Sequence, residues 1–183
     1  TIDKYIAVLD INKFKMINKA YGYKTGDTIL QGIGDELEKL LGKESLIARY
    51  SNDYFSVLFE YNEDIHKIVN QMVRNIENLV VNDTVYNLSV NIGIYKLTQE
   101  DNNISESMDK AIIAHSASKG DVFDKFHIYD KKMEKKLEKE SRIEHEMNKA
   151  LENKEFKVYY QPKVYTKDET LYGAEALVRW EHN

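Results

Sequence analysis

Residues 46–61 read LIARYSNDYFSVLFEY. Leu46–Tyr50 and Phe55–Tyr61 are short, apolar-rich runs that read as strands, and Asn52–Asp53 between them supplies a tight turn. Working back toward the start, the run Tyr5–Leu9 (YIAVL) reads as a buried strand ending at Asp10. Two helical stretches lie between that strand and the hairpin. Phe14, Ile17 and Tyr21 repeat at helical spacing, and Ile29, Leu30, Ile33, Leu37, Leu40 and Leu41 then make one apolar face. Asp27 is expected to cap the start of the second helix and Gly42 to end it. Working forward, Ile65, Ile68, Val69, Met72, Val73 and Ile76 mark an amphipathic helix, and Val85–Tyr95 reads as one strand. A helix over about Ser105–Ser118 and a last short strand, Phe126–Tyr129, complete this part.

The central part of this order is the split β-α-β arrangement of ferredoxin-like folds. A right-handed crossover leaves the first two strands parallel, with the third between them. The hairpin tip at Ser51–Asp53 then lies at the same edge as the end of the first strand. Asp10 and Asp53 are therefore expected to meet in space.

Composition removes several function classes. The chain has 183 residues, 42% hydrophobic and 31% charged, with a formal charge of −5. That balance belongs to a folded globular protein, and the acidic charge argues against a nucleic-acid partner. There are no cysteines, which excludes disulfides, thiol catalysis and Cys-ligated zinc. No apolar run approaches the ~20 residues that cross a bilayer, so membrane attachment is expected only through missing parts of a longer parent. His66, His115, His127, His145 and His182 are scattered without metal-ligand spacing and are read as structural or solvated.

Residues 10–27 carry the most specific pattern. They begin Asp10-Ile-Asn-Lys-Phe-Lys-Met-Ile-Asn18 and continue to Gly22 and Gly26-Asp27. This resembles the substrate-binding stretch of GGDEF domains, the diguanylate cyclases, whose pattern is D-x-D-x-F-K-x-I-N-D-x-x-G-H-x-x-G-D. Asp10, Phe14, Lys15, Ile17, Asn18, Gly22, Gly26 and Asp27 match in register. Arg49-Tyr-Ser-Asn-Asp-Tyr-Phe55 follows where the family places R-Y-G-G-D-E-F. The resemblance covers residues 1 to about 129; the family's first helix would lie before Thr1. It implies a palm-type α/β (α+β) fold, a central, mostly antiparallel sheet flanked by helices. It also implies GTP as ligand, with Mg²⁺ held by the carboxylates of Asp10 and Asp53 and the carbonyl of Ile11. Phe14, Lys15, Asn18 and Asp27 would bind the nucleotide. An amide at Asn18 and a carboxylate at Asp27 suit the mixed donor and acceptor edge of guanine.

Four departures bear on catalysis. Ser51 and Asn52 stand where the family has two glycines, which permit positive φ and close backbone approach. Asn tolerates that conformation better than Ser. Tyr54 replaces the signature glutamate, and a phenol that ordinarily titrates near ~10 is a poor base at neutral pH. General-base assistance contributes roughly 10²- to 10⁴-fold, so cyclase turnover is expected near background and no catalytic residue set is intact. The phosphate-gripping lysine of the family's A-L-Y-x-A-K segment aligns with Ala117, and Lys119 lies close enough to substitute in part. The R-x-x-D inhibitory site would fall on Gly42 and Ser45 and is read as missing, while Arg49 is retained and read as structural.

After Asp130 the composition shifts to a charged run, KKMEKKLEKESRIEHEMNKALENK. Ile143, Met147 and Leu151 give a narrow apolar seam, too brief to favour a coiled coil over a solvated connecting helix at 130–153. Residues 155–183, EFKVYYQPKVYTKDETLYGAEALVRWEHN, hold two strands, Phe156–Gln161 and Thr170–Trp180, around a polar turn. Glu175, Leu177 and Arg179 fall on one strand face, with Glu175 and Arg179 about 13 Å apart. Y-Q-P followed by G-A-E-A-L-V-R-W resembles the beginning of an EAL domain, the cyclic-di-GMP phosphodiesterase. By that resemblance Glu175 is a metal ligand, and Gln161 and Arg179 contact cyclic-di-GMP; Trp180 is read as packing. A complete EAL domain is a TIM-like barrel of about 250 residues, of which residues 154–183 are the truncated start. Such a helix and hairpin either pack on the first domain or are held by another copy of the chain, a homodimer favoured by exposed strand edges.

The reading that results is a cytoplasmic cyclic-di-GMP signalling fragment. Its domains are a degenerate GGDEF domain at 1–129, a connecting helix at 130–153 and the start of an EAL domain at 154–183. The GGDEF domain would act as a GTP-binding regulatory module for an attached phosphodiesterase. An active cyclase with an atypical SNDYF signature and a purely structural dimerisation module are the alternatives.

Overall fold

The computed structural model describes residues 3–119 and 124–181. Residues 1–2, 120–123 and 182–183, among them Thr1, Gly120, His182 and Asn183, lie outside the described residues. The chain divides into two compact units, residues 1–134 and 135–183.

The first unit is built on a five-stranded sheet in the order β2-β3-β1-β6-β7. The strands are β1 (Asp3–Ile11), β2 (Leu46–Ser51), β3 (Tyr54–Tyr61), β6 (Val90–Lys96) and β7 (Phe126–Ile128). All neighbours are antiparallel except β6 and β7. β3 lies between β1 and β2, which run parallel, as the crossover rule requires. β1 is central, and its residues Tyr5–Ile11 are all buried. Strand periodicity then sorts its side chains. Tyr5, Ala7, Leu9 and Ile11 join the large core, which also takes Ile29, Ile33, Ile68 and Met72 from helices α2 (Tyr23–Leu41) and α3 (Ile65–Glu77). Ile6 and Val8 point the other way and pack with Ala111 of α4 (Ile104–Ser118). Asp10 shares that second face.

Helix ends are set locally. α1 (Phe14–Tyr21) stops at Gly22, whose φ of 85° breaks the helix, and α2 begins directly after it. Asp27 therefore lies inside α2 rather than at its N-cap, contrary to the sequence expectation. Gly42, φ 86°, ends α2 as expected. α3 is capped by Asp64, whose carboxylate accepts the His66 N–H at 3.0 Å. Of the hairpin-tip residues, Asn52 carries the positive φ, 36°.

The stretch 85–95 is not one strand. A separate hairpin, β4 (Asn78–Val81) with β5 (Thr84–Asn87), precedes β6, and residues 88 and 89 divide the two. Asn82 and Asp83, φ 50° and 61°, form the two-residue turn between β4 and β5.

The second unit contains most of α5 (Lys131–Glu152) and the antiparallel hairpin β8 (Phe156–Val164) and β9 (Leu171–Trp180). Both strands are longer at the turn side or shorter at the start than the apolar runs suggested, because the ladder carries Pro162 and Lys163 into the pairing. Ala150 is buried, the Trp180 indole N–H donates to Glu155 at 2.9 Å, and Trp180 packs on Phe156 with ring centroids 5.3 Å apart. Trp180 is a packing residue.

Candidate nucleotide-binding site

The end of β1 and the start of β3 bring the key residues together. Leu9 pairs with Phe55, so one step further along the same ladder sets Asp10 across from Tyr54. Both face α4. Asp10 is buried, and each of its carboxylate oxygens is engaged. His115 Nε2 donates to Oδ1 at 2.9 Å, and Lys119 Nζ lies 2.6 Å from Oδ2. The same ammonium donates to the Tyr54 hydroxyl at 2.7 Å and sits 5.0 Å from that ring's centre. The Tyr54 ring meets His115 edge-on at 5.6 Å. Burial works to raise the Asp10 carboxyl, but hydrogen bonds from His115 and Lys119 outweigh it and hold the group below its ordinary value. Burial likewise works against the Lys119 charge, and its contacts to Asp10 and Tyr54 push it up.

His115 was not legible as a site residue. It sits in the last turn of α4 and reaches Asp10 because α4 lies unusually close to the sheet. A Cβ built on Gly93 in β6 would overlap the backbone of Ala111 and His115. A glycine inside a strand marks such an approach, and Gly93 was the available signal.

Asp53 does meet Asp10, but on different terms from a shared site. Burial, together with the Asp10 charge, holds its carboxyl above the ordinary value against the opposing pull of backbone N–H groups and Lys119. Asp53 lines a cleft of about 880 Å³ together with Phe14, Lys15, Asn18, Asp27 and Asn52. Asp10 is not among that cleft's lining residues. The Asn18 Oδ1 is buried without a hydrogen-bond partner. It is admitted by Gly26, where a Cβ would overlap it. All four residues assigned to the nucleotide thus converge on one cleft, with an unsatisfied acceptor in its wall.

Mg²⁺ asks for near-octahedral oxygen ligands, typically one or two carboxylates with waters and phosphates. The residues as arranged do not fit it. Both Asp10 oxygens already carry nitrogen partners, one of them the Lys119 cation, and Tyr54 offers a phenol in place of a carboxylate. Among the described residues no group of three or more His, Asp or Glu gathers to hold a metal.

In the second unit, the β8–β9 register sets Gln161 directly across from Glu175, and Lys157 across from Arg179. These four share one face of the hairpin. Glu175 also pairs with Lys163 at 3.1 Å, and Arg179 donates to the Val178 carbonyl at 3.0 Å.

The family model described as "Diguanylate cyclase, GGDEF domain" matches residues 3–125. The chain belongs to the GGDEF family. The model of the EAL domain matches residues 144–183, beginning inside α5. Alignments to curated relatives run across both matched segments. The bifunctional diguanylate cyclase/cyclic di-GMP phosphodiesterase MucR of Pseudomonas aeruginosa is 28% identical over 98% of this chain and 27% of that protein. The signaling protein YkoW of Bacillus subtilis is 30% identical over 93% of this chain and 22% of that protein. The chain thus spans about a quarter of the length of these curated relatives. Among solved structures, the GGDEF domain of PA1120 (YfiN or TpbB) from P. aeruginosa superimposes with a TM-score of 0.61 at 21% identity, covering 70% of this chain and 83% of that one. The GGDEF domain of DgcB from Caulobacter crescentus, in complex with c-di-GMP, gives 0.58 at 18% identity over 70% and 77%. These structural likenesses establish the mixed α/β GGDEF fold, and the EAL segment that follows it is matched by the family model. No helix among the described residues is long and apolar enough to cross a membrane.

Proposed function

We propose that the GGDEF part binds GTP without converting it and acts as a regulatory module for an attached EAL phosphodiesterase. The observation that carries this reading is the cleft itself. Phe14, Lys15, Asn18 and Asp27 line one concave surface, and the buried Asn18 Oδ1 has no protein partner. An acceptor left unsatisfied in a wall costs stability unless a ligand N–H reaches it, and Asn18 beside Asp27 offers an amide and a carboxylate to a guanine edge. Turnover lacks support at the neighbouring position, because Tyr54 is held by Lys119 and supplies no carboxylate.

On this reading the EAL segment presents Gln161, Glu175 and Arg179 toward cyclic-di-GMP, with Glu175 a metal ligand once a barrel surrounds it. The protein works in the cytoplasm, where GTP is available, and self-association follows from the exposed strand edges of the hairpin. Calorimetric titration with GTP, with ATP as the control, tests the central claim. Selective GTP binding lost in Asn18→Ala is the expected result; no heat up to millimolar GTP refutes it. Cyclic-di-GMP made above a no-enzyme control and lost in Asp53→Ala would instead establish an active cyclase.

A further inference from the structure

The sheet register places Asp10 and Tyr54 side by side facing α4, and α4 ends at the point where Lys119 can reach both. Asp10 is the buried member, its side chain 7% exposed, while the Lys119 side chain is 40% exposed. The ammonium is therefore the group that meets solvent, and the carboxylate lies behind it. A cation at this place is further favoured by the C-terminal end of α4, where the helix dipole is negative. The ammonium spans two oxygens, the Asp10 Oδ2 at 2.6 Å and the Tyr54 hydroxyl at 2.7 Å. Two neighbouring oxygen groups bridged by one positive charge is the arrangement a bound metal ion would produce.

We propose that the Lys119 ammonium is a tethered cation that closes the Asp10 edge to divalent metal, and presents its own charge to an anionic ligand in the metal's place. The ligand half of this statement rests on the nucleotide reading above; the metal half does not. Three features support it. Asp10 is buried behind the Lys119 ammonium, so a divalent ion arriving from solvent must displace that ammonium to reach Oδ2. Displacing Lys119 would leave a buried carboxylate with one fewer partner and place a second cation beside the first. The neighbouring oxygens offer little in return: Tyr54 is a phenol already accepting from Lys119, and Asp53 lines a cleft that Asp10 does not. An ammonium also has three N–H donors, of which Asp10 and Tyr54 take two among the described residues. The remaining donor suits a phosphate oxygen, a role that lysine serves as a point charge.

The test is a Mn²⁺ titration of the whole chain followed by electron paramagnetic resonance, without nucleotide. Wild type and Lys119→Arg, which keeps the charge, are expected to bind Mn²⁺ equally weakly. Lys119→Met, which keeps the stem, should bind it at least about tenfold more tightly, a gain of ~1.4 kcal/mol. Adding Asp10→Asn to Lys119→Met should abolish that gain. Equal Mn²⁺ affinity in wild type and Lys119→Met overturns the proposal. If Lys119→Met fails to fold by circular dichroism, Asp10→Asn alone decides: unchanged Mn²⁺ affinity supports a closed edge, and weakened affinity refutes it. A GTP titration in EDTA and in Mg²⁺ completes the test. Equal affinity in both supports the proposal, and binding seen only with Mg²⁺ overturns it. No GTP binding in either buffer refutes the nucleotide reading, while the Mn²⁺ comparison still settles the metal half.

Discussion

Gly93→Ala couples the fold to the site most directly. Gly93 pairs with Val8 in the centre of the sheet and faces α4. A Cβ there would overlap the Ala111 carbonyl oxygen and the His115 nitrogen and Cα. These are backbone atoms of one helix, so no side-chain rotation relieves the overlap, and α4 must shift by roughly 1.5 Å to restore contact at ~3.5–4 Å. Overpacking of this kind costs about 1–3 kcal/mol. A shift of α4 also stretches the His115 and Lys119 contacts to Asp10, and a hydrogen bond to a charged group contributes about 1.5–3 kcal/mol. Replacing glycine within a strand returns about 0.5–1 kcal/mol. The net expectation is a loss of about 2–4 kcal/mol. Urea unfolding followed by far-UV circular dichroism measures it. Gly34→Ala is the control, since nothing lies within 4 Å of its built Cβ; in a helix interior it should gain about 0.5–1 kcal/mol. A Gly93→Ala protein within ~0.5 kcal/mol of wild type, the ordinary scatter of neutral substitutions, would refute the close seating of α4 on β6.

Asp10→Ala should destabilise the domain by about 2–4 kcal/mol, because it strands the buried His115 without its acceptor and removes the Lys119 partner. A raised melting temperature would instead mark Asp10 as strained and kept for ligand alone. Gly26→Ala should push the Asn18 amide out of its niche, so GTP affinity should fall at least about tenfold with a smaller change in unfolding free energy; intact GTP affinity contradicts the placement of Asn18. Asp101 lies in a network with the Tyr95 hydroxyl at 2.9 Å and Lys110 at 2.8 Å. Burial works to raise its carboxyl, but Lys110 and the Thr98 contacts hold it well below the ordinary carboxylate value. A depressed folded value means stability present above ~pH 4 and lost as pH falls further. Asp101→Asn should therefore lower stability at neutral pH and flatten the acid limb of a melting-temperature profile; parallel profiles would count against the network.

What was legible in the sequence followed from rules of local and topological order. The apolar runs at 5–9, 46–50 and 55–61 and the handedness of the crossover together place β3 between β1 and β2. Gly42 marked the end of α2 for the same reason it ends it, a positive φ. Other features failed where one signal hid another. Asp27 looked like a cap because an acidic residue preceded an apolar face, yet Gly22 had already broken the chain and α2 starts a turn earlier. The β4–β5 hairpin was masked by the apolar run that follows it, although Asn82-Asp83 between two Val-rich strands is a turn signal in itself.

The site divides in the same way, and the division has a cause. Phe14, Lys15, Asn18 and Asp27 lie on adjacent helices, so sequence spacing alone nearly assembles them in one cleft. The Asp10 partners lie more than a hundred residues away on a helix whose distance from the sheet depends on one missing side chain at Gly93. Strand parity was available too: Asp53 and Tyr54 alternate across β3's face, and it is Tyr54 that shares the face of Asp10. The expectation that Asp10 and Asp53 meet followed from the sheet edge that the topology gives the hairpin tip, whereas parity directs attention to Tyr54 and to whatever α4 sets opposite it. A carboxylate–phenol pair facing a helix end invites a cation, and the nearest residue able to supply one from that end is Lys119.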